Sequence, residues 1–159
     1  MSEIHSLAVI GSGTMGAGIA QVAAAAGYQV VMHDVEDPFL VKALRAITGS
    51  YEKFVQKGKM TEAEREAAQS RLKVSLAIEE VAQCDLIVEA ITEKIEAKRT
   101  LFAKLEEICK KESIFASNTS SLSVTEMSQA TKRPDQVVGM HFFNPPALMK
   151  LVEVVRTPL

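Results

Sequence analysis

The sequence predicts an α/β domain: a doubly wound, mainly parallel sheet with a helical hairpin inserted into it. Short apolar runs alternate with helix-like segments along the chain, which is the βαβ pattern. The first run, Leu7 to Ile10, leads through a G-x-G-x-x-G turn at Gly11, Gly13 and Gly16 into an alanine-rich segment, the order strand, turn, helix. Between the second and third strands, residues 38–72 carry two helical patterns, more than a simple crossover needs.

In that order each glycine has a task. Gly11 allows the tight turn, Gly13 leaves the backbone open to a pyrophosphate, and Gly16 lets the helix pack close to the strand. The turn Gly11-Ser12-Gly13-Thr14-Met15-Gly16 thus offers phosphates its free N–H groups and the positive end of a helix. That helix reads on from Ile19 to Ala26 and stops at Gly27, a C′ glycine. The second apolar run, Tyr28 to His33, ends in Asp34, close to the roughly 20-residue offset at which an acid meets the adenosine ribose hydroxyls. A dinucleotide site follows, and Asp34 with no Arg directly after it argues for NAD over NADP. For Asp34 alone, a solvated strand-end carboxylate is the plainer alternative.

Asp37-Pro38 reads as N-cap and N1 of the first helix of the arm, with apolar residues at Leu40, Ala43, Leu44, Ile47, Tyr51, Phe54 and Val55 and a stop at Gly58. Thr61 to Glu64 fits a capping box for a second, charged helix to about Leu72. Such an arm suits covering a ligand, and equally suits no ligand at all. A short strand from Leu72 to Leu76 and a short helix from Ala77 to Gln83 come next. Asp85 to Ile91 reads as a buried parallel strand, followed by Glu93 and a helix from about Ile95 to Lys110. In an open α/β sheet ligands lie beyond the carboxyl ends of strands, so Glu89 to Lys98 falls where cofactor contacts belong. Spacing alone favours the plainer reading of Glu93 and Lys98 as a helix-start acid and a solvated base.

A strand from Ile114 to Ser117 runs into Asn118-Thr119-Ser120-Ser121, small polar residues where substrate hydroxyl contacts, or only a loop, are found. Ser123 with Glu126 makes a capping box for a helix through about Gln129. The strand Val137 to Phe143 is broken by Asn144-Pro145-Pro146, and the last run, Leu151 to Val155, carries one acid, Glu153. A carboxylate buried in an apolar strand needs a partner, and His141 on the neighbouring strand is one. Such a pair fixes the imidazole tautomer and suits a general base for an alcohol proton. A structural pair, or two unrelated residues, fits the spacing as well.

The 159 residues suit one domain with a real core, 47% hydrophobic and 24% charged. Net charge is −2 with both signs interspersed, which recommends neither nucleic acid nor a membrane surface as partner. The two cysteines, Cys84 and Cys109, have no metal or redox spacing, and no metal site is expected. With the first strand close to Met1 and no run near the roughly 20 apolar residues of a span, a cytoplasmic protein is expected.

G-S-G-T-M-G, D-L-I-V-E-A-I-x-E, F-A-S-N-T-S-S-L and G-M-H-F-F-N-P-P-A-L-M-K-L-V-E-V-V, in this order, resemble the 3-hydroxyacyl-CoA dehydrogenases, and the likeness covers essentially all 159 residues. The resemblance implies a Rossmann domain that binds NAD for oxidation of L-3-hydroxyacyl-CoA to 3-oxoacyl-CoA. It makes His141 the base for the 3-hydroxyl proton, Glu153 its orienting carboxylate and Ser120 a substrate contact near the nicotinamide ribose. Asn144, Glu93 and Lys98 match cofactor contacts, and Ser50 and Lys57 on the arm match residues that hold coenzyme A. The family continues into an all-helical domain that closes over the acyl-CoA and forms a homodimer, so residues 1–159 are expected to be the NAD-binding domain, with weak turnover alone. Two rivals stay open: a non-catalytic NAD-binding protein, and a dehydrogenase of a free hydroxy acid.

Overall fold

The structure, a computed structural model, describes residues 3–158. Its strands are β1 (Ser6–Ile10), β2 (Gln29–His33), β3 (Leu72–Ser75), β4 (Leu86–Glu89), β5 (Ile114–Ser117), β6 (Val137–Phe142) and β7 (Val152–Arg156). The helices are α1 (Thr14–Ala25), α2 (Asp37–Gln56), α3 (Glu62–Ser70), α4 (Ile95–Ile108) and α5 (Val124–Ser128). The strands form one sheet in the order β3-β2-β1-β4-β5-β6-β7. Every pairing is parallel except β6 with β7. This is the doubly wound order, with β4 at its centre and the switch point between β1 and β4.

The alternation of β1 explains why helices cover both faces. Leu7 and Val9 point into one core with α1, α2 and α3, where Ile19, Leu40, Ile47 and Tyr51 are buried. Ala8 and Ile10 point into the other with Ile87, Phe102, Leu105 and Phe115. Full burial of each large apolar side chain contributes about 1.5–3 kcal/mol, so the two cores fix the sheet and with it the positions of the strand ends.

The predicted hairpin is α2 and α3, and both helices pack against α1. Gln21 on α1 ties α2 to it: its carbonyl accepts from the Tyr51 hydroxyl at 2.6 Å and its Nε2 donates to Ser50 Oγ at 2.7 Å. Burial pushes the Tyr51 hydroxyl up to about 12. The capping box at Thr61 and Glu64 forms in both directions.

Several local expectations need correction. The N-cap of α2 is Glu36, so Pro38 sits one position further in, where an absent N–H is still harmless. The segment after β3 is only a 3-10 turn, Ile78–Val81. Ser123 caps α5 by accepting from the Glu126 amide, but the return bond is missing because the Glu126 carboxylate turns to Arg99 at 3.6 Å. Glu153 is not a buried acid: β7 has one neighbour, all five of its residues are exposed, and the Glu153 side chain is 56% exposed. Among the described residues, no helix is long and apolar enough to cross a membrane.

Candidate active site

At the switch point the chain leaves β1 through Gly11, whose φ is +97° and whose amide donates to the His33 carbonyl at 2.9 Å. A Cβ on Gly11 would lie 2.6 Å from the Ala90 carbonyl oxygen just after β4. One on Gly16 would overlap the Gly11 carbonyl itself, so the close approach of α1 is to the turn more than to the strand. Gly13 differs, because no atom lies within 4 Å of the place its Cβ would take. There α1 begins with no side-chain cap and no acid in its first turn. Its orphan N–H groups open onto a cleft of about 1200 Å³ that Gly11, Ser12, Gly13 and Thr14 line. An uncapped, unobstructed helix start of this kind fits a pyrophosphate.

Asp34, just after β2, lines the same cleft. Its Oδ2 accepts from both the amide and the hydroxyl of Ser12 at 2.7 Å, and its Oδ1 accepts from the Val35 amide at 2.7 Å. Burial pushes the carboxyl up, but these hydrogen bonds outweigh it and hold Asp34 below the usual carboxylate range. The Ser12 side chain is therefore turned to the acid. Val35 and Leu76, both well exposed, and Leu101 add an apolar wall to that end of the cleft.

Ser50 and Lys57 of the hairpin line the far side of this cleft, joined by Lys42 and Lys53, which sequence reasoning passed over. The helical spacing was a signal for them: Lys53 and Lys57 stand one turn apart on a single face. Ser50 keeps its place through Gln21, while Lys57 is exposed at the end of α2.

A second cavity of about 380 Å³ adjoins the first, sharing Ala90 and Ile91 as walls. It gathers Met15, Glu93, Lys98, Ser120, His141 and Asn144. His141 and Glu153 are register partners across β6 and β7, with Nδ1 3.0 Å from Oε2. When Nδ1–H donates to the carboxylate, Nε2 keeps its lone pair. The imidazole also lies 4.7 Å from the Phe143 ring, centroid to centroid. This arrangement can accept a proton from a hydroxyl group.

Of the polar run after β5, Asn118 and Thr119 turn inward. Asn118 Oδ1 accepts from the Phe142 amide at 2.9 Å, and the Thr119 hydroxyl donates to Glu93. Ser120 is left exposed on the rim. Lys98 is 1% exposed, with Nζ 2.6 Å from Glu89 and 3.1 Å from Glu93. Burial raises the Glu93 carboxyl, but the Thr119 hydroxyl and Lys98 together hold it below its ordinary value. Glu89 bounds the stretch where cofactor contacts were expected, but its pairing with Lys98 was missed because Glu89 closes an apolar run and its partner is nine residues on, outside any local spacing.

The family model described as "3-hydroxyacyl-CoA dehydrogenase, NAD binding domain" matches residues 6–159. A probable 3-hydroxybutyryl-CoA dehydrogenase of Bacillus subtilis is 44% identical over 154 residues, 97% of this chain and 54% of that protein. A mitochondrial hydroxyacyl-coenzyme A dehydrogenase of Rattus norvegicus is 45% identical, over 98% of this chain and 52% of its own. The crystal structure of (S)-3-hydroxybutyryl-CoA dehydrogenase from Ralstonia eutropha superposes with a TM-score of 0.95 at 38% identity, covering 98% of this chain and 55% of that one. The chain thus spans about half the length of these relatives.

Proposed function

Since the chain belongs to the 3-hydroxyacyl-CoA dehydrogenase family, as its NAD-binding domain, we propose that the protein serves the oxidation of an L-3-hydroxyacyl-CoA to a 3-oxoacyl-CoA, or the reverse reduction. NAD, when bound, supplies the hydride acceptor. His141 Nε2 takes the 3-hydroxyl proton, while Glu153 holds the other ring nitrogen and offsets the charge that the imidazole gains. Ser120 binds the substrate oxygen from the cavity rim, and Asn144, Glu93 and Lys98 frame the cofactor side of the same cavity. The turn Gly11 to Gly16 takes the pyrophosphate and Asp34 the adenosine ribose. Ser50 and Lys57 hold coenzyme A, whose phosphates suit a lysine.

In this reading a helical domain beyond the NAD-binding one closes over the substrate and forms a homodimer. The compartment is the cytosol, in keeping with two buried, unpaired cysteines.

The observation that carries the proposal is the His141–Glu153 pair at 3.0 Å, with His141 on the wall of the cavity that Ser120 and Asn144 share. The test is oxidation of NADH by acetoacetyl-CoA in the complete enzyme. Turnover with acetoacetyl-CoA and none with free acetoacetate is expected. Turnover with the free acid, undiminished by added coenzyme A, would overturn the substrate class.

A further inference from the structure

Beneath the smaller cavity, five residues from β4, β5, α4 and the loops between them close a ring. Glu89 Oε1 accepts from Lys98 Nζ at 2.6 Å and from the Ile91 amide at 2.7 Å, and its Oε2 accepts from Ser117 Oγ at 2.5 Å. Ser117 Oγ in turn accepts from the Thr119 amide at 3.2 Å. The Thr119 hydroxyl donates to Glu93, and Glu93 returns to Lys98 at 3.1 Å. Two carboxylates thus share one ammonium, which leaves one negative charge in excess.

The placement of that charge is uneven. Glu89 and Lys98 are 0% and 1% exposed, whereas the Glu93 side chain is 42% exposed and lines the cavity beside His141. Lys98 also lines the cavity, but it sits between two acids and offers a ligand little net positive charge. We propose that this ring biases the site toward the oxidised cofactor, its excess negative charge favouring the cationic nicotinamide of NAD+ over the neutral ring of NADH. Glu89, which lines neither cavity, acts in it as a positioning residue. It holds the ammonium down with a carboxyl that accepts from three donors at once.

The inference rests on the dehydrogenase reading, because it needs the nicotinamide to enter the cavity where His141 stands. It is tested by separate equilibrium titrations of the chain with NAD+ and with NADH, for wild type, Glu93→Gln and Glu89→Gln, with circular dichroism confirming the fold. The ratio of the NADH to the NAD+ dissociation constant is expected to fall roughly three- to tenfold in Glu93→Gln. It should move in the same direction in Glu89→Gln. A residue that merely shapes the site weakens both cofactors alike and leaves the ratio unmoved. Wild type binding both cofactors, with an unchanged ratio in folded Glu93→Gln, overturns the inference alone. Wild type binding neither overturns the dehydrogenase reading and this inference with it. Should Glu89→Gln fail to fold, Glu93→Gln, on an exposed loop, decides.

Discussion

His141 and Glu153 stand directly opposite one another on β6 and β7, their side chains joined at 3.0 Å on the only antiparallel edge of the described sheet. An antiparallel register is what allows this: both Cβ atoms leave the same face at the same height. β7 is exposed along its length, so changes there alter the pair without emptying a core. In the complete enzyme, His141→Ala is expected to lower kcat by about 10²–10⁴-fold, the usual worth of a general base. Glu153→Gln keeps an acceptor for Nδ1 but loses the charge, and should cost on the order of tenfold for each 1.4 kcal/mol of imidazolium stabilisation lost. Thermal unfolding should stay within about 0.5 kcal/mol of wild type, as for other surface changes. An unaltered rate and pH profile for Glu153→Gln would remove it from the mechanism.

The glycines of the turn should separate folding from binding. Gly16→Ala places a methyl group against the Gly11 carbonyl and is expected to destabilise the chain by about 1–3 kcal/mol, the range of overpacking. Gly13→Ala meets no neighbour, so urea unfolding should barely change, while the new methyl stands in front of the uncapped start of α1. NAD affinity measured by calorimetry should fall for Gly13→Ala. Equal affinity for NAD in Gly13→Ala and wild type would mean that the phosphates lie elsewhere.

What the sequence made legible was chiefly what the backbone demands. A left-handed turn at Gly11 and a helix pressed onto it admit only glycine, so the motif carried its own geometry. Continuous apolar runs marked the strands, and the single acid in the last of them, Glu153, offered His141 a partner among other readings. Its burial was misjudged, because sequence does not tell how many neighbours an edge strand has. Glu89 and Lys98 were harder. Lysine is almost never fully buried, so nothing local announces that Lys98 lies 1% exposed between two acids from other positions. Nor does the spacing of Ser123 and Glu126 reveal that Arg99, from α4, draws the Glu126 carboxylate away from the cap.

That buried pair makes a sharp stability prediction. Lys98→Met leaves Glu89 with one donor fewer in a dry interior, and should destabilise by about 3–5 kcal/mol, as when one member of a buried pair is removed. Replacing both, Glu89→Leu with Lys98→Met, removes the stranded charge and should recover part of the loss. Urea midpoints for the two single variants and the double variant complete the cycle. Additive losses, with no recovery in the double variant, would show that the two side chains do not depend on each other.

Cys84 and Cys109 are 4% and 8% exposed, and burial pushes both thiols up to about 11. Asp85 adds to the rise at Cys84, and Arg133 opposes it at Cys109. A shift of about two units leaves roughly 10²-fold less thiolate than an ordinary cysteine holds, so the folded chain at pH 8 should react with a thiol reagent at least that much more slowly than in urea. The same shift sets a direction for stability. Well below the ordinary thiol range both cysteines keep their protons whether folded or not, and nothing is lost. From that range upward the unfolded chain releases them first, so the folding free energy should decline as the pH climbs from about 9 toward 11. Unfolding free energies measured across that window check the sign, and a rise in stability there would contradict the burial of both sulfurs.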